Sequence, residues 1–500
     1  MPRQVAILHG WSDSSGSFKP LATFLKQNGY RTVPLLLGDY VSLRDDVKID
    51  DVAKRMEEVV REKMARPAGA RDRLDRSFDL IVHSTGGLVA RRWISMHYGE
   101  RACPVRNLVM LAPANFGSKL AHKGRSMLGR IFKGWKTGFE TGEEMLFALE
   151  LSSPFLWNLA QSDLFVPEGK MAARAPVYYR PDRVRPFVIV GTHPYTELMA
   201  KITNEDGSDG TVRVAAANLN SYGMTVDFSG DTGHLLRPQV TPWKKRGGDG
   251  NLFPLAVLPD RTHGNIVRPN DSGLSKVDAI QKQLGKLLLQ ALKTNTPEQY
   301  TKVVKDWRAV SLETRKHAGA SDEAQKSRDA TFKKRKTPRE YFHEYFQIFV
   351  RVEDEFGEEI PDYFLSFMPK RKKHWYSLRT TLPKEGVFFH DEVLEDTHVH
   401  RGTKANRCFF VDRFDLMRKG GFYDQIKAGS RKELHFTVTA ADPGDRIAYF
   451  SRESTLKRGL VALHRGSPPD LRWLKRHSTH FIKVVVPRAA DVRIFTLKRA

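Results

Sequence analysis

Cysteine is scarce in this chain, with only Cys103 and Cys408 among 500 residues. Two cysteines cannot form a disulfide framework or a cysteine-rich zinc site. Long apolar runs are also missing, since no stretch approaches the roughly 18 uncharged apolar residues that a transmembrane helix needs. The first residues lead directly into a strand-like segment without the apolar core of a signal peptide. The sequence therefore predicts a cytoplasmic protein, with export only by a route that uses no signal peptide.

Acidic side chains are too few to balance the basic ones. Lys and Arg number 82 against 58 Asp and Glu, which gives a formal net charge of +24. Residues 301–500 alone contain 41 basic and 27 acidic side chains, a net +14. This excess favours a polyanionic partner, although a solubilising surface without a partner is the alternative. The basic runs at 333–336 and 370–373 lack the aromatic interleaving of RNA-binding modules, so a solvated face or a lipid-surface contact is favoured over nucleic acid.

Apolar residues, at 40% of the chain, are frequent enough to build folded cores in two or three domains. The first 115 residues alternate strand and helix patterns, with strands predicted at 5–8, 32–37, 78–82 and 107–111. Further strands are predicted at 186–191, 211–215, 225–228 and 255–258, before a closing helix at 276–292. Such alternation is typical of a mainly parallel sheet with helices on both faces. We predict that residues 1–295 form this α/β domain.

The rest of the chain follows other patterns. Residues 116–180 predict helical pieces that combine apolar residues with lysine and arginine. Residues 296–340 are lysine-rich and predict a basic helical linker. Residues 341–500 contain short strand patterns separated by turn signals, which indicates a β-rich, sandwich-like accessory domain.

A predicted strand at residues 78–82 leads into a serine. Ser84 follows His83, and the small residues after Thr85 begin a helix. A sharp strand-to-helix turn exposes a serine hydroxyl at the carboxyl edge of a sheet, above the positive end of the helix. Val82 occupies the first position of the G-x-S-x-G pattern, so an unrelated strand–serine turn is the alternative for this segment alone. We interpret His83 as a packing residue.

Three segments of the first domain resemble the serine esterases and lipases of the α/β-hydrolase superfamily, nearest to the PGAP-like lipase group. They are Ile7-Leu8-His9-Gly10-Trp11, Val82-His83-Ser84-Thr85-Gly86-Gly87-Leu88-Val89 and Leu111-Ala112-Pro113-Ala114-Asn115-Phe116-Gly117-Ser118. The group also contains the His-Ser-Thr-Gly-Gly form without the first glycine. The resemblance covers about residues 3–290. It implies an α/β-hydrolase fold in which 116–180 is a cap or lid.

The resemblance also implies site residues, in the chain order serine, acid, histidine. Ser84 would be the nucleophile, and backbone N–H groups of Trp11 (or its neighbour Ser12) and Thr85 would form the oxyanion hole. Asp209 lies in an Asp-Gly turn that resembles the family's acid turn. Asp206 competes with it, and Asp227 and Asp231 are more remote options. His263 follows the strand at 255–258, where the family places its general base.

These residues imply a carboxylic ester hydrolase that forms an acyl-enzyme on Ser84 and uses neither a metal nor an organic cofactor. The cap's apolar and basic residues favour a lipid or other acyl ester as substrate, although they could simply cover the sheet. The alternative function is a binding or delivered effector protein, whose β-domain targets a partner or membrane and whose hydrolase fold is weakly active or inactive. The sequence does not indicate an oligomeric state.

Overall fold

The structure is a computed structural model. It describes residues 3–8, 18–35, 46–99, 101–123, 142–166, 175–195, 204–230, 238–271, 282–329, 343–369, 387, 389–391, 393–417, 421–425, 434–440, 447–448, 461–462 and 475–490. The described residues divide into two compact units, and each consists of two stretches of chain. The first unit comprises 1–220 and 244–343, and the second comprises 221–243 and 344–500.

Helices and strands alternate through the first two thirds of the chain. In order they are β1 (Gln4–Leu8), α1 (Lys19–Gln27), β2 (Arg31–Leu35), α2 (Ile49–Ala65), β3 (Phe78–His83), α3 (Gly86–His97), β4 (Val105–Leu111), a 3-10 helix (Lys119–Lys123), α4 (Glu143–Leu149), α5 (Pro154–Asp163), β5 (Arg185–Gly191), α6 (Val214–Ala217), β6 (Tyr222–Asp227), β7 (Gln239–Pro242), β8 (Leu255–Leu258), α7 (Gln283–Lys293) and α8 (Pro297–Asp329).

The last third is mainly strands. They are β9 (Tyr345–Asp354), β10 (Tyr363–Pro369), β11 (Leu394–Val399), β12 (Asn406–Asp412), β13 (Leu434–Ala440), β14 (Ile447–Ala448), β15 (Val461–Ala462), β16 (Thr479–Val486) and β17 (Ala489–Ala490). Two short helices, α9 (Arg413–Met417) and α10 (Phe422–Gln425), follow β12.

A parallel sheet is the centre of the first unit. Its described strands lie in the order β2-β1-β3-β4-β5-β8, and every neighbouring pair is parallel. Every residue of β3 and of β5 is buried, as expected for strands with helices on both faces. One face packs against α1, α7 and α8 through a cluster that includes Ile81, Leu111 and Ile189. The predicted α/β fold class is therefore confirmed.

Two predicted strands of this sheet are absent from it as the structure describes it. Residues 211–215 form a turn and the start of helix α6, because the turn is held by hydrogen bonds to a side chain and not to a strand. Residues 222–227 do form a strand, β6, but it pairs with β16 in the second unit. Its alternating burial, with Met224 and Val226 inside, shows that one face is covered but does not specify by which sheet.

Residues 296–340 were predicted as a linker, but several of their described side chains pack into the first unit. Tyr300, Val303 and Trp307 of α8 are buried in the first unit's core. The hydroxyl of Ser311 donates to the Leu255 carbonyl at 2.8 Å and accepts from the Val257 N–H at 3.0 Å. Helix α8 thus covers the edge strand β8 and satisfies its polar groups, so this helix belongs to the folded unit.

The second unit is β-rich, as predicted, and it also contains β6 and β7. Its larger described sheet has the order β11-β12-β9-β16-β6-β7 and is mixed, since β9, β16 and β6 are mutually parallel. A second sheet has the antiparallel order β10-β13-β15. Apolar residues of both sheets, such as Ile348 and Phe436, share one buried cluster, which is sandwich-like packing.

The segment predicted as a cap, 116–180, is only partly described. Leu146 in α4 and Leu156 and Trp157 in α5 are buried, which is the covering role considered for these residues. Residues 124–141, which contain most of the cations noted in that segment, lie outside the described part. No helix among the described residues is long and apolar enough to cross a bilayer.

Candidate active site

Ser84 lies between strand β3 and helix α3 with a φ of 54°, in the left-handed region that residues other than glycine seldom adopt. Backbone hydrogen bonds hold it there. The Ser84 N–H donates to the Leu111 carbonyl at 3.1 Å, and the Ser84 carbonyl accepts from Gly87 at 3.1 Å and Ala114 at 3.2 Å. The turn is therefore as sharp as the sequence predicts, and it holds the serine at the carboxyl edge of the sheet.

The packing around the turn explains why Val82 can occupy the first glycine position of the G-x-S-x-G pattern. Val82 is fully buried and pairs with Leu8 and Met110 on the neighbouring strands. The close approach occurs instead at Gly87, where a Cβ atom would lie 2.8 Å from Cβ of Pro113. The turn therefore needs a residue without a side chain at 87, and it accommodates valine at 82.

Asp209 lies in a tight turn that its own carboxylate helps to form. Oδ1 accepts hydrogen bonds from the N–H groups of Thr211 at 3.0 Å and Val212 at 2.7 Å. Gly210 has a φ of +92°, which favours glycine at that position of the turn. One carboxylate oxygen thus fixes the turn, and Oδ2 is directed towards the histidine.

His263 follows β8 in a loop that the Thr262 and Asn265 pair stabilises. The Thr262 N–H donates to Asn265 Oδ1 at 2.8 Å, and the Asn265 N–H donates to Thr262 Oγ1 at 3.3 Å. The His263 N–H donates to the Asp209 carbonyl at 2.9 Å. The loop of the histidine and the turn of the acid are therefore joined by their backbones as well as by their side chains.

The three side chains form one hydrogen-bonded chain. His263 Nδ1 lies 2.9 Å from Asp209 Oδ2, and His263 Nε2 lies 3.0 Å from Ser84 Oγ. An ionised carboxylate only accepts, so Nδ1 carries the hydrogen and Nε2 accepts from the serine hydroxyl. The side chains are 4%, 1% and 0% exposed for Ser84, His263 and Asp209, so little water competes for these bonds. A serine with its base and an orienting acid can carry out nucleophilic catalysis.

The alternative acids occupy other places. Asp206 lies three residues before Asp209 and is half-buried, while Asp209 provides the carboxylate that binds His263. The carboxylate of Asp227, at the end of β6, accepts from the N–H and hydroxyl of Ser229. Asp231 lies outside the described residues. Among the candidates that the structure describes, Asp209 is the one whose carboxylate is seen to contact the His263 side chain.

Solved structures support the same fold. Phospholipase PlaB from Legionella pneumophila is 24% identical, with 99% of this chain and 96% of that chain covered and a TM-score of 0.71. PlaB in complex with thio-NAD is 23% identical with the same coverage and a TM-score of 0.69. This chain has an α/β-hydrolase fold. No protein-family model matches the chain, and no curated protein matches it by sequence.

The finer resemblance to the PGAP-like group stays a prediction. It depended on three short segments, around His9, around Ser84 and at 111–118, and His9 to Ser17 lie outside the described residues. The coarser α/β-hydrolase assignment depends on the whole parallel sheet and on the turn that presents the serine.

The structure describes only one half of the predicted oxyanion hole. Thr85 directly follows Ser84 and is the N-cap residue of α3, so its backbone lies at the N-terminal end of that helix. The helix dipole also favours negative charge at this end. Trp11 lies outside the described residues, so its predicted contribution stays a prediction.

The acid turn has a second layer of support that sequence reasoning missed. Arg213 is buried and donates from Nε to Glu205 Oε2 at 3.0 Å. The Ser208 hydroxyl donates to the Glu205 carbonyl at 2.7 Å and accepts from Gly210 N–H at 3.1 Å. The local sequence gives no signal for this contact, because Arg213 needs an anionic partner only once folding has buried it.

Burial shifts the pKa values of two side chains that precede His263 in its loop. Asp260 is almost fully buried, and desolvation raises the pKa of its carboxyl group, although the neighbouring Arg261 opposes the shift. Desolvation lowers the pKa of Arg261, whose Nη1 and Nη2 donate to the carbonyls of Arg268 and Asp271. The buried Arg261 guanidinium thus binds backbone carbonyls that follow His263 and stabilises the loop.

His83 was interpreted from sequence as packing, and the structure gives it a polar contact as well. It is buried, and its Nε2 lies 3.0 Å from the carbonyl oxygen of His263. The two imidazole rings are 4.7 Å apart, and the Phe18 ring packs edge-on against His83. The contact joins residues 180 positions apart in sequence, which no local motif could reveal.

Proposed function

We propose that this protein is a serine hydrolase that cleaves carboxylic esters of lipids through an acyl-enzyme on Ser84. The observation that carries the proposal is the buried chain of hydrogen bonds from Ser84 through His263 to Asp209. Its order, its geometry and its position on a strained strand-to-helix turn are those that nucleophilic ester hydrolysis requires.

The first half of the reaction forms the acyl-enzyme. Ser84 Oγ attacks the ester carbonyl carbon while His263 Nε2 accepts the hydroxyl proton. Asp209 stabilises the imidazolium that forms, and the N–H groups of Thr85 and Trp11 bind the negatively charged oxygen. The C–O bond to the alcohol then breaks, and His263 returns its proton to the departing oxygen.

The second half releases the acid. A water molecule gives a proton to His263 Nε2 and attacks the acyl carbon, and the second tetrahedral intermediate uses the same N–H donors. The bond to Ser84 Oγ breaks, and His263 returns the proton to the serine oxygen. The cycle consumes one ester and one water and needs no metal or organic cofactor.

Two observations support a lipid substrate. PlaB, a solved structure whose match covers 99% of this chain, is a phospholipase by name. The net charge of +24 also favours an anionic surface, at which a phospholipid substrate would be presented. We therefore expect long-chain phospholipids in vesicles to be cleaved faster, per mole of accessible ester, than a short soluble ester.

Hydrolysis by matched serine variants tests the catalytic role. Ser84→Ala should lower kcat by at least about a thousandfold, because loss of the nucleophile removes the acyl-enzyme route. Ser95→Ala is the control, since Ser95 lies on helix α3, which follows Ser84, and its hydroxyl donates to the Arg92 carbonyl. Equal loss in both variants, or substantial activity in Ser84→Ala, would contradict the proposal. A folded wild type without esterase activity would favour a binding or effector role.

A further inference from the structure

The His83 side chain packs against the residue proposed as the general base, with the two ring centroids 4.7 Å apart. His83 is the last residue of β3 and pairs in the sheet with Leu111, so its backbone is held at the centre of the sheet. Phe18 packs against its ring at a centroid distance of 5.8 Å and an interplanar angle of 65°. The His83 ring is therefore positioned by its place in strand β3 and by its packing against Phe18.

The contact between His83 and His263 has one chemical sense. A backbone carbonyl oxygen only accepts, so His83 Nε2 carries a hydrogen and donates it to the His263 oxygen over 3.0 Å. This hydrogen bond joins the end of strand β3 to the loop after β8. Ser84 directly follows β3, and the loop contains His263. The strand that presents the nucleophile thus holds the loop that presents the base.

His263 is held at four points by the described residues. Asp209 accepts from its backbone N–H and from its Nδ1, and Ser84 Oγ donates to its Nε2. The fourth point is the backbone carbonyl, which His83 binds. Asp209 and Ser84 make three of these four hydrogen bonds. His83 makes the fourth and is not one of the three proposed catalytic residues.

We propose that His83 is a positioning residue, which fixes the His263 imidazole relative to Ser84 through a hydrogen bond to the His263 carbonyl. The inference rests on the proposed function, because positioning has a kinetic meaning only if His263 is the general base. A displacement of about 1 Å in a catalytic group can lower the rate about a hundredfold, so a single bond to the loop can matter.

Glutamine and methionine at position 83 separate this role from simple filling of space. Both side chains are unbranched and similar in length, but only glutamine has an Nε2–H that can donate to the carbonyl. We expect His83→Met to lower kcat about 10- to 100-fold with KM within about twofold of wild type. His83→Gln should stay within about threefold of the wild-type kcat.

The two variants should unfold at similar temperatures, so that a difference in kcat reports the hydrogen bond. Equal kcat for the two, or a change confined to KM, would overturn the positioning role. If His83→Met does not fold, ring ¹⁵N NMR of the wild type provides the second test, with signals assigned by their loss in His83→Gln. A hydrogen on Nε2 of His83 is expected, and its absence would overturn the proposal.

The same proteins separate failure of the inference from failure of the proposed function. If Ser84→Ala retains activity and still reacts with a fluorophosphonate, the proposed nucleophile is wrong whatever position 83 shows. If Ser84→Ala is inactive while His83→Met and His83→Gln match the wild type, the nucleophile stands and only the positioning role fails.

Discussion

Ser84 shows how the fold stores local strain at its candidate nucleophile. Its φ of 54° is a conformation that costs a non-glycine residue about 1–3 kcal/mol, and backbone bonds to Leu111, Gly87 and Ala114 maintain it. The resemblance implied the serine, the acid turn and the histidine from short motifs, and the structure brings these three side chains into one hydrogen-bonded chain. The contacts of His83 and Arg213 could not be predicted, because each depends on a residue or turn brought near by folding.

The two aspartates of the acid turn give a direct test at this scale. Asp209→Asn should lower kcat about a hundred- to ten-thousandfold, because the amide cannot stabilise the imidazolium or enforce its tautomer. His263→Ala should cost nearly as much as Ser84→Ala, since triad members act as a unit. Asp206→Asn should stay within about threefold of wild type. Steady-state kinetics that show the reverse order for the two aspartates would contradict our choice of acid.

Glu57 should make the stability of the first unit depend on pH. Burial opposes its charged form, but hydrogen bonds from Tyr98, Trp93 and Arg61 outweigh burial and lower its pKa below the ordinary value of 4.5. A lowered folded pKa means that the stabilisation is complete above pH 4.5 and is lost as the pH falls through the lower, folded value.

Urea unfolding measured as a function of pH tests this assignment. Glu57→Gln should lower the free energy of unfolding at pH 7 by about 1–3 kcal/mol and should weaken its decline between pH 5 and about pH 3. Glu58→Gln is the matched control, because Glu58 is the next residue and its side chain is exposed. Identical pH profiles for Glu57→Gln and wild type would show that this carboxylate does not contribute.

At the scale of elements, partners distant in sequence decide what each helix or strand does. The pattern of α8 correctly predicts a helix, but Trp307 and Ser311 reveal only after folding that the helix covers β8. In the same way, the alternation in β6 predicts a strand with one buried face. It does not say that the partner is β16, more than 250 residues later, because periodicity carries no information on pairing.

Helices α3 and α5 are joined by a buried ion pair that can be tested by a double-mutant cycle. Arg91 donates to Asp163 at 2.8 and 2.9 Å, and both side chains are fully buried. Arg91→Met or Asp163→Leu alone should destabilise the protein by about 3–5 kcal/mol, since each leaves a buried charge without its partner. The double variant should lose much less than the sum of the two. Additive losses in urea unfolding would contradict direct coupling.

At the scale of the whole molecule, one hypothesis connects the net charge of +24 with the proposed lipid substrate: the protein binds an anionic membrane. If an anionic membrane is the partner, vesicle binding should rise with the fraction of anionic lipid. It should also fall with salt, because charges are screened beyond about 10 Å at 0.1 M. Co-sedimentation with phosphatidylglycerol and phosphatidylcholine vesicles measures both effects. Equal binding to both vesicle types, or binding to neither, would leave the charge as a solubilising surface.

The basic run at 370–373 offers a variant for the same assay, although it lies outside the described residues. Each Lys or Arg near an anionic surface contributes about 1 kcal/mol. Replacing all four residues by glutamine should therefore weaken binding to anionic vesicles and leave the hydrolysis of a short soluble ester unchanged. Loss of both properties together would indicate damage to the fold and not a membrane contact.

The most direct test of the account is covalent labelling by a fluorophosphonate, followed by peptide mass spectrometry. An activated serine attacks the phosphorus, displaces fluoride and stays phosphonylated, and the account predicts one label per chain on Ser84. The label should be lost in Ser84→Ala and retained in Ser95→Ala. A label on another residue, or no label on the folded wild-type protein, would contradict the claim that Ser84 is the nucleophile of a serine hydrolase.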